Sequence, residues 1–172
     1  MSTDFRRVAI VNRGEPAMRF IHAVREYNLE HRSGIRVIAL FTEPDRHARF
    51  VREADEAVDL GASTYVDDAD GLRRPAYLDY RVLERGLAEA QADAVWTGWG
   101  FVAERPEFAE MCERLGVVII GPDSGSIQAI LTVSPFCAQA APDISIAPQT
   151  VARACLVKFI DLSARSWKSG SD

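Results

Sequence analysis

Apolar residues recur along this chain in two rhythms: short unbroken runs, and longer stretches in which they return at every third or fourth position. The runs Arg7-Val8-Ala9-Ile10-Val11, Ile35-Arg36-Val37-Ile38-Ala39-Leu40-Phe41, Ala57-Val58-Asp59-Leu60, Ala94-Val95-Trp96 and Val117-Val118-Ile119-Ile120 have the length of strands. Between them, Ala17, Phe20, Ile21 and Val24 make one helical stripe, with Arg19, His22, Arg25 and Glu26 on the opposite side. Pro16 suits the first turn of that helix, where its missing N–H is not needed. The helix fades near Asn28, and Ser33-Gly34 closes the connection. Thr42-Glu43-Pro44-Asp45 reads as a turn, followed by a short charged helix from Ala48 to Ala54. Asp79 is a candidate N-cap for a helix carrying Tyr80, Leu83, Leu87 and Ala90 on one face. A last helix runs from Glu104 to Leu115 with Phe108, Met111, Cys112 and Leu115 inward, and Gly116 ends it. Strand–helix alternation with short connections predicts an α/β fold: a Rossmann-like doubly wound parallel sheet with helices on both faces, up to about residue 128.

Two stretches break the rhythm. Residues 62–78 read as a polar, solvated loop. Its acidic trio Asp67, Asp68 and Asp70 does not fit a calcium-binding EF-hand, because Val66 stands at the first ligand position and Tyr77 at the closing one. Residues 129–172 form an irregular C-terminal tail. From Leu131 to Ala152 it carries one charge, Asp143, with Pro135, Pro142 and Pro148 and no clean period. Some helix is expected around Val151 to Ile160, and Ser166 to Asp172 read as disordered. Both lysines of the chain, Lys158 and Lys168, lie in this tail, whereas the other basic residues are all arginine. The change of character reads as a genuine extension, a shifted reading frame or an artificial end.

Composition narrows the function classes. The 172 residues are 48% apolar and suffice for one domain with a real core. A net charge of −5 without a long basic stretch argues against nucleic acid as a partner. Cys112, Cys137 and Cys155 have neither metal-ligand nor redox spacing, which points to a reducing compartment and no metal site. There is no secretory leader and no apolar run of membrane-spanning length, so a soluble cytoplasmic protein with no membrane partner is expected.

The candidate chemistry centres on Ala94-Val95-Trp96-Thr97-Gly98-Trp99-Gly100-Phe101-Val102-Ala103-Glu104, a buried strand running into a two-glycine turn and a helix start. In an open α/β sheet ligands bind at the carboxyl ends of the strands, where this turn falls. Asn12, Arg13, Gly14 and Glu15 end the first strand and are expected to face the same crevice. Arg13 and Glu15 have an alternative, in which they pair with each other or cap the helix. Gly98 to Ala103 also satisfies the dinucleotide pattern G-x-G-x-x-A. That match follows the fourth strand rather than the first, and the next strand runs into Gly121-Pro122 without an acidic residue.

Five pieces in order resemble the biotin carboxylase family. Val8-Ala9-Ile10-Val11-Asn12-Arg13-Gly14-Glu15, followed by Ala17 and Arg19, resembles its opening strand and helix. Ala54-Asp55-Glu56-Ala57 and Tyr77-Leu78 resemble two further family segments. Gly98-Trp99-Gly100-Phe101-Val102-Ala103-Glu104 resembles its Gly-Tyr-Gly-Phe-Leu-Ser-Glu, and Ile120-Gly121-Pro122 its Ile-Gly-Pro. The resemblance covers residues 6–130 and assigns 1–128 to a pre-ATP-grasp, biotin carboxylase N-terminal-like domain, with 129–172 a non-matching tail. The family's Gly-Asp-Lys segment, glycine-rich loop, phosphate-binding lysines and magnesium ligands have no counterpart here. Trp96-Thr97 replaces its His-Pro, Pro16 replaces an aliphatic residue, and the 62–76 loop is longer than usual.

The resemblance implies ATP- and bicarbonate-dependent carboxylation of biotin, with ATP, biotin and magnesium serving the full-length family enzyme and none held tightly by this chain alone. It implies that Trp99, Gly100 and Glu104 face biotin. The alternatives are a Trp99 packed in the core and a Glu104 that merely caps its helix. Arg19 and His22 fall on the face that bacterial members use in homodimer contacts, or on a plain solvated one. The implied partners are an ATP-grasp domain, normally in the same chain, and a biotin carrier domain. The reading is thus a truncated ligase domain, inactive alone. Its alternatives are a non-catalytic docking partner of a separate ATP-grasp or carrier chain, and a Rossmann-like nucleotide binder.

Overall fold

The structure is a computed structural model and describes residues 5–98, 102–103 and 105–120. Trp99, Gly100, Glu104 and the tail from residue 121 lie outside the described residues. In chain order the elements are β1 (Arg7–Ile10), α1 (Gly14–His31), β2 (Arg36–Phe41), α2 (Arg49–Glu53), β3 (Glu56–Asp59), β4 (Thr64–Val66), β5 (Arg73–Pro75), α3 (Tyr80–Glu89), β6 (Ala94–Trp96), α4 (Pro106–Leu115) and β7 (Val118–Ile120). Single 3-10 turns at Glu43–Asp45 and Ala76–Leu78 precede α2 and α3.

Five strands form one parallel sheet in the order β3-β2-β1-β6-β7. Alternate side chains leave a strand on opposite faces, and here each set meets its own pair of helices. Val8, Ile10, Val37, Ala39, Phe41 and Trp96 pack with Phe20, Ile21 and Val24 of α1 and Phe50 of α2. Ala9, Val11, Ile38, Leu40 and Val95 pack on the other face with Leu83 and Leu87 of α3 and with Phe108, Met111 and Cys112 of α4. The predicted doubly wound α/β architecture is therefore present. The stripe expected of the first helix, Ala17, Phe20, Ile21 and Val24, is the set α1 buries.

The stretch read as a solvated loop is folded. β4 and β5 pair antiparallel, Thr64 opposite Pro75 and Val66 opposite Arg73. Asp67 is buried and accepts hydrogen bonds from Arg74 Nε (2.8 Å) and an Arg81 terminal nitrogen (2.7 Å). The acidic residue that suggested a solvated loop thus binds the hairpin to α3. The hydrogen bond from Ala69 N–H acts first in holding the Asp67 carboxyl below its ordinary value; burial opposes it and Arg81 adds to it. Leu115, expected inward, is 37% exposed at the last turn of α4.

Asp79 caps α3, accepting from the N–H groups of Arg81 (2.8 Å) and Val82 (3.3 Å), and the Tyr65 hydroxyl donates to it from β4. Asp79→Ala removes the cap and leaves Tyr65 without its acceptor. Urea unfolding should show a loss of about 1–2 kcal/mol, with Asp79→Asn retaining much of it. A loss equal in the two variants would remove the cap from the explanation.

Candidate functional site

The sheet order reverses between β1 and β6, since β1 leads outward to β2 and β3 while β6 leads to β7. A crevice at the carboxyl ends of the strands belongs at such a reversal. Val11 N–H still donates to the Trp96 carbonyl (2.9 Å). Beyond it the Asn12 side chain takes over: its Nδ2 donates to the Thr97 carbonyl (2.9 Å), and its Oδ1 accepts from Arg13 N–H (2.7 Å).

Gly98 follows with φ +59°, a left-handed backbone. A Cβ there would lie 2.9 Å from Asn12 Nδ2 and 2.9 Å from the Trp96 ring. That ring is buried and stacks on Phe20 with centroids 4.5 Å apart and planes at 16°. Trp96 and Asn12 thus fill the space around Gly98, and only a glycine fits. Gly14, at the carboxyl end of β1, also has a positive φ of +64°, but a Cβ there would meet nothing within 4 Å. Its backbone is open to close approach by a ligand.

The other crevice residues turn aside. Arg13 reaches across to Asp45 at the end of β2, with Nε 2.8 Å from Oδ2 and a terminal nitrogen 2.6 Å from Oδ1. These hydrogen bonds to Asp45 hold the Arg13 guanidinium above its ordinary value. Tyr77 donates to the Leu40 carbonyl (2.8 Å), and burial, with Asp45 nearby, pushes its phenol well above the usual range. Glu15 pairs with Arg19 one turn along α1. Arg13 and Glu15 therefore take separate partners. An open depression of about 510 Å3 lies beside them, lined by Arg13, Gly14, Glu15, Pro16, Asp45, Arg49 and Phe50 among others. The structure joins Asn12 to the Thr97-Gly98 turn and opens Gly14 to solvent. It does not bring Arg13 or Glu15 onto that turn by any hydrogen bond or ion pair among the described residues.

Sequence reasoning missed Asp45, whose pairing with Arg13 spans 32 positions. Its one local signal was a carboxylate in the turn after a strand.

Arg19 and His22 lie on the exposed side of α1. His22 Nε2 is 3.6 Å from Glu53 Oε2. Glu53 is also held by Arg49 (2.7 Å) and by Arg25 (2.9 Å), which joins α1 to α2. Arg49 first, then Arg25, lowers the Glu53 carboxyl to about 2 from an ordinary 4.5. A lowered carboxylate contributes stability above its unfolded value and loses it as pH falls toward the folded one. Between pH 4.5 and about 2, the melting temperature of the chain should fall more steeply than that of Glu53→Gln. Parallel curves would show that the cluster contributes nothing measurable.

Among the described residues, no group of three or more His, Cys, Asp or Glu is placed to hold a metal ion, and no helix is long and apolar enough to cross a membrane.

Comparison with known proteins places this geometry. Residues 4–127 match the family model described as biotin carboxylase, N-terminal domain. A pyruvate carboxylase subunit of Methanothermobacter thermautotrophicus is 38% identical over 128 residues, 73% of this chain and 23% of that protein. Biotin carboxylase 1 of Bacillus subtilis is 34% identical over 127 residues, 74% of this chain and 25% of that protein. The chain thus spans about a quarter of the length of these two curated relatives. The crystal structure of a biotin carboxylase–β,γ-ATP complex from Campylobacter jejuni superposes with a TM-score of 0.59 at 26% identity, over 72% of this chain and 25% of that one. With the family model covering most of its length, and with a fold that superposes on the Campylobacter jejuni biotin carboxylase, the chain belongs to the biotin carboxylase N-terminal domain family.

Proposed function

We propose that residues 6–130 build one wall of a biotin carboxylase site, met by ATP, bicarbonate and the ureido ring of biotin at the carboxyl ends of β1 and β6. The observation that carries this reading is the switch point itself. There the Gly14 backbone is open, and Asn12 ties the end of β1 to the Thr97-Gly98 turn. In this reading Trp99, Gly100 and Glu104 face biotin, Asn12 to Glu15 frame the crevice, and the Arg13–Asp45 pair stiffens its β2 side. ATP and magnesium supply the phosphoryl chemistry of the family reaction, held by an ATP-grasp domain. The 172-residue chain carries no match to that domain's glycine-rich loop, lysines or metal ligands, so it does not turn over ATP alone. An ATP-grasp domain and a biotin carrier are its partners, and the face carrying Arg19 and His22 is offered to a second copy. The cytoplasm is its compartment. In keeping with a reducing environment, Cys112 is a buried free thiol, pushed up to about 12 by burial and then by Glu113.

The test exchanges residues 6–128 of this chain for the matching segment of Biotin carboxylase 1 from Bacillus subtilis. The chimera should cleave ATP in a bicarbonate- and biotin-dependent manner, and the 172-residue chain should not. A folded chimera without that activity overturns the wall assignment. Bicarbonate-dependent cleavage by the chain alone overturns the claim of inactivity.

A further inference from the structure

The Asn12 amide is bonded within the fold through both its oxygen and its nitrogen. Its Oδ1 is taken by Arg13 N–H (2.7 Å) and its Nδ2 by the Thr97 carbonyl (2.9 Å). The two bonds settle which end of the amide points where, since only the nitrogen donates to a carbonyl. Thr97 is 2% exposed, so its carbonyl accepts this bond in a dry setting. The bond spans 85 positions and lies just past the rung from Val11 N–H to the Trp96 carbonyl. A side chain thus supplies the next tie between the two central strands and leaves the backbone free to bend at Gly98. Asn12 Nδ2 also occupies the space that a Cβ at residue 98 would need. Turn and side chain are therefore built for each other.

We infer that Asn12 is a positioning residue. Its amide latches the Thr97 carbonyl and so fixes the backbone at Thr97-Gly98, where the chain leaves β6. The inference rests on the reading that this stretch faces the reactants, but the latch can be measured without any reactant. The two side chains closest to asparagine in shape do not do the same work at that place. Aspartate has the same shape but turns an oxygen toward the Thr97 carbonyl, and leucine has neither donor nor acceptor.

The full 172-residue chain carries three tryptophans, Trp96, Trp99 and Trp167, and two asparagines, Asn12 and Asn28. Labelling with 5-fluorotryptophan therefore gives three fluorine resonances, assigned by single Trp→Phe variants. Asn12→Ala and Asn12→Asp should each move or broaden the Trp99 resonance while that of Trp167 stays in place, and the aspartate variant should move it further. A role confined to overall stability would lower the melting temperature and leave the Trp99 resonance of the folded chain where it was; that result overturns the inference. Should both variants fail to fold, the unaltered chain still decides. With asparagine nitrogen labelled, the Asn12 side-chain amide should exchange with solvent at least about tenfold more slowly than a free amide, as protected native groups do. Exchange at the free rate overturns the latch. None of these readouts uses ATP, bicarbonate or biotin, so a failed latch and an inactive chimera are separate results.

Discussion

Trp96→Ala should lower the unfolding free energy by about 3–5 kcal/mol, the range for emptying a large aromatic site in a core. The indole is 1% exposed and stacks on Phe20 of α1. It packs in the same cluster as Ile10, Ala39, Phe41 and Ile120, so the cavity opens beneath the two central strands. Relaxation is limited because β1 and β6 are hydrogen-bonded neighbours inside the sheet. Such a loss is a large part of the whole stability of an ordinary domain. Urea unfolding monitored by circular dichroism gives the value. Trp96→Phe keeps a ring against Phe20 and should cost well under half as much. A loss below about 1 kcal/mol for the alanine variant, far under the range for aromatic truncation, would mean that the indole is not the keystone of that face.

Gly98→Ala should cost about 2–5 kcal/mol, from two sources that act together. A left-handed backbone costs an L-residue about 1–2 kcal/mol, and forcing a methyl group into filled space costs about 1–3 kcal/mol more. Gly98 has φ +59°, and the methyl group would sit 2.9 Å from both Asn12 Nδ2 and the Trp96 ring. Gly14 is the internal control. Its φ is +64°, but nothing lies within 4 Å of the Cβ position, so Gly14→Ala should cost only the backbone share of about 1–2 kcal/mol. If the two alanine variants unfold at the same urea concentration, crowding around Gly98 is not what selects glycine there.

The two predictions describe one device. The ring of Trp96 fills the space on one side of the turn, and Asn12 holds it from the adjoining strand. The family resemblance marks Trp96-Thr97 as a departure from His-Pro. The structure gives that departure a physical consequence, because the larger aromatic ring reaches both Phe20 and the space over Gly98.

Much of the fold was legible in the sequence, and the reason is local. The stripe of Ala17, Phe20, Ile21 and Val24, the cap at Asp79 and the glycine stop at residue 116 are set by neighbours within a few positions. Helical period and cap chemistry are properties of such short windows. The hairpin Thr64–Val66 with Arg73–Pro75 was not legible. Three-residue strands are too short for alternation to register, and their charges masked them. The aromatic and β-branched run Thr64-Tyr65-Val66 ahead of an Asp- and Gly-rich turn was the available signal. The strand-order reversal beside the candidate site was legible as a region, because a strand that ends in a glycine turn points to the carboxyl end of a sheet.

Periodicity and ordered motifs survive without knowledge of contacts, and they suffice for the class of fold, the helices and central strands, and the family. Which side chains meet follows from packing. Arg13 finds Asp45 across 32 positions, Arg7 finds Glu56 across 49, and Asn12 finds Thr97 across 85. These pairings follow from the sheet order β3-β2-β1-β6-β7, which sets strands distant in sequence side by side. A hydrogen bond acts over about 3 Å of space whatever the separation along the chain. Which donor meets which acceptor was therefore settled only once the strands had packed.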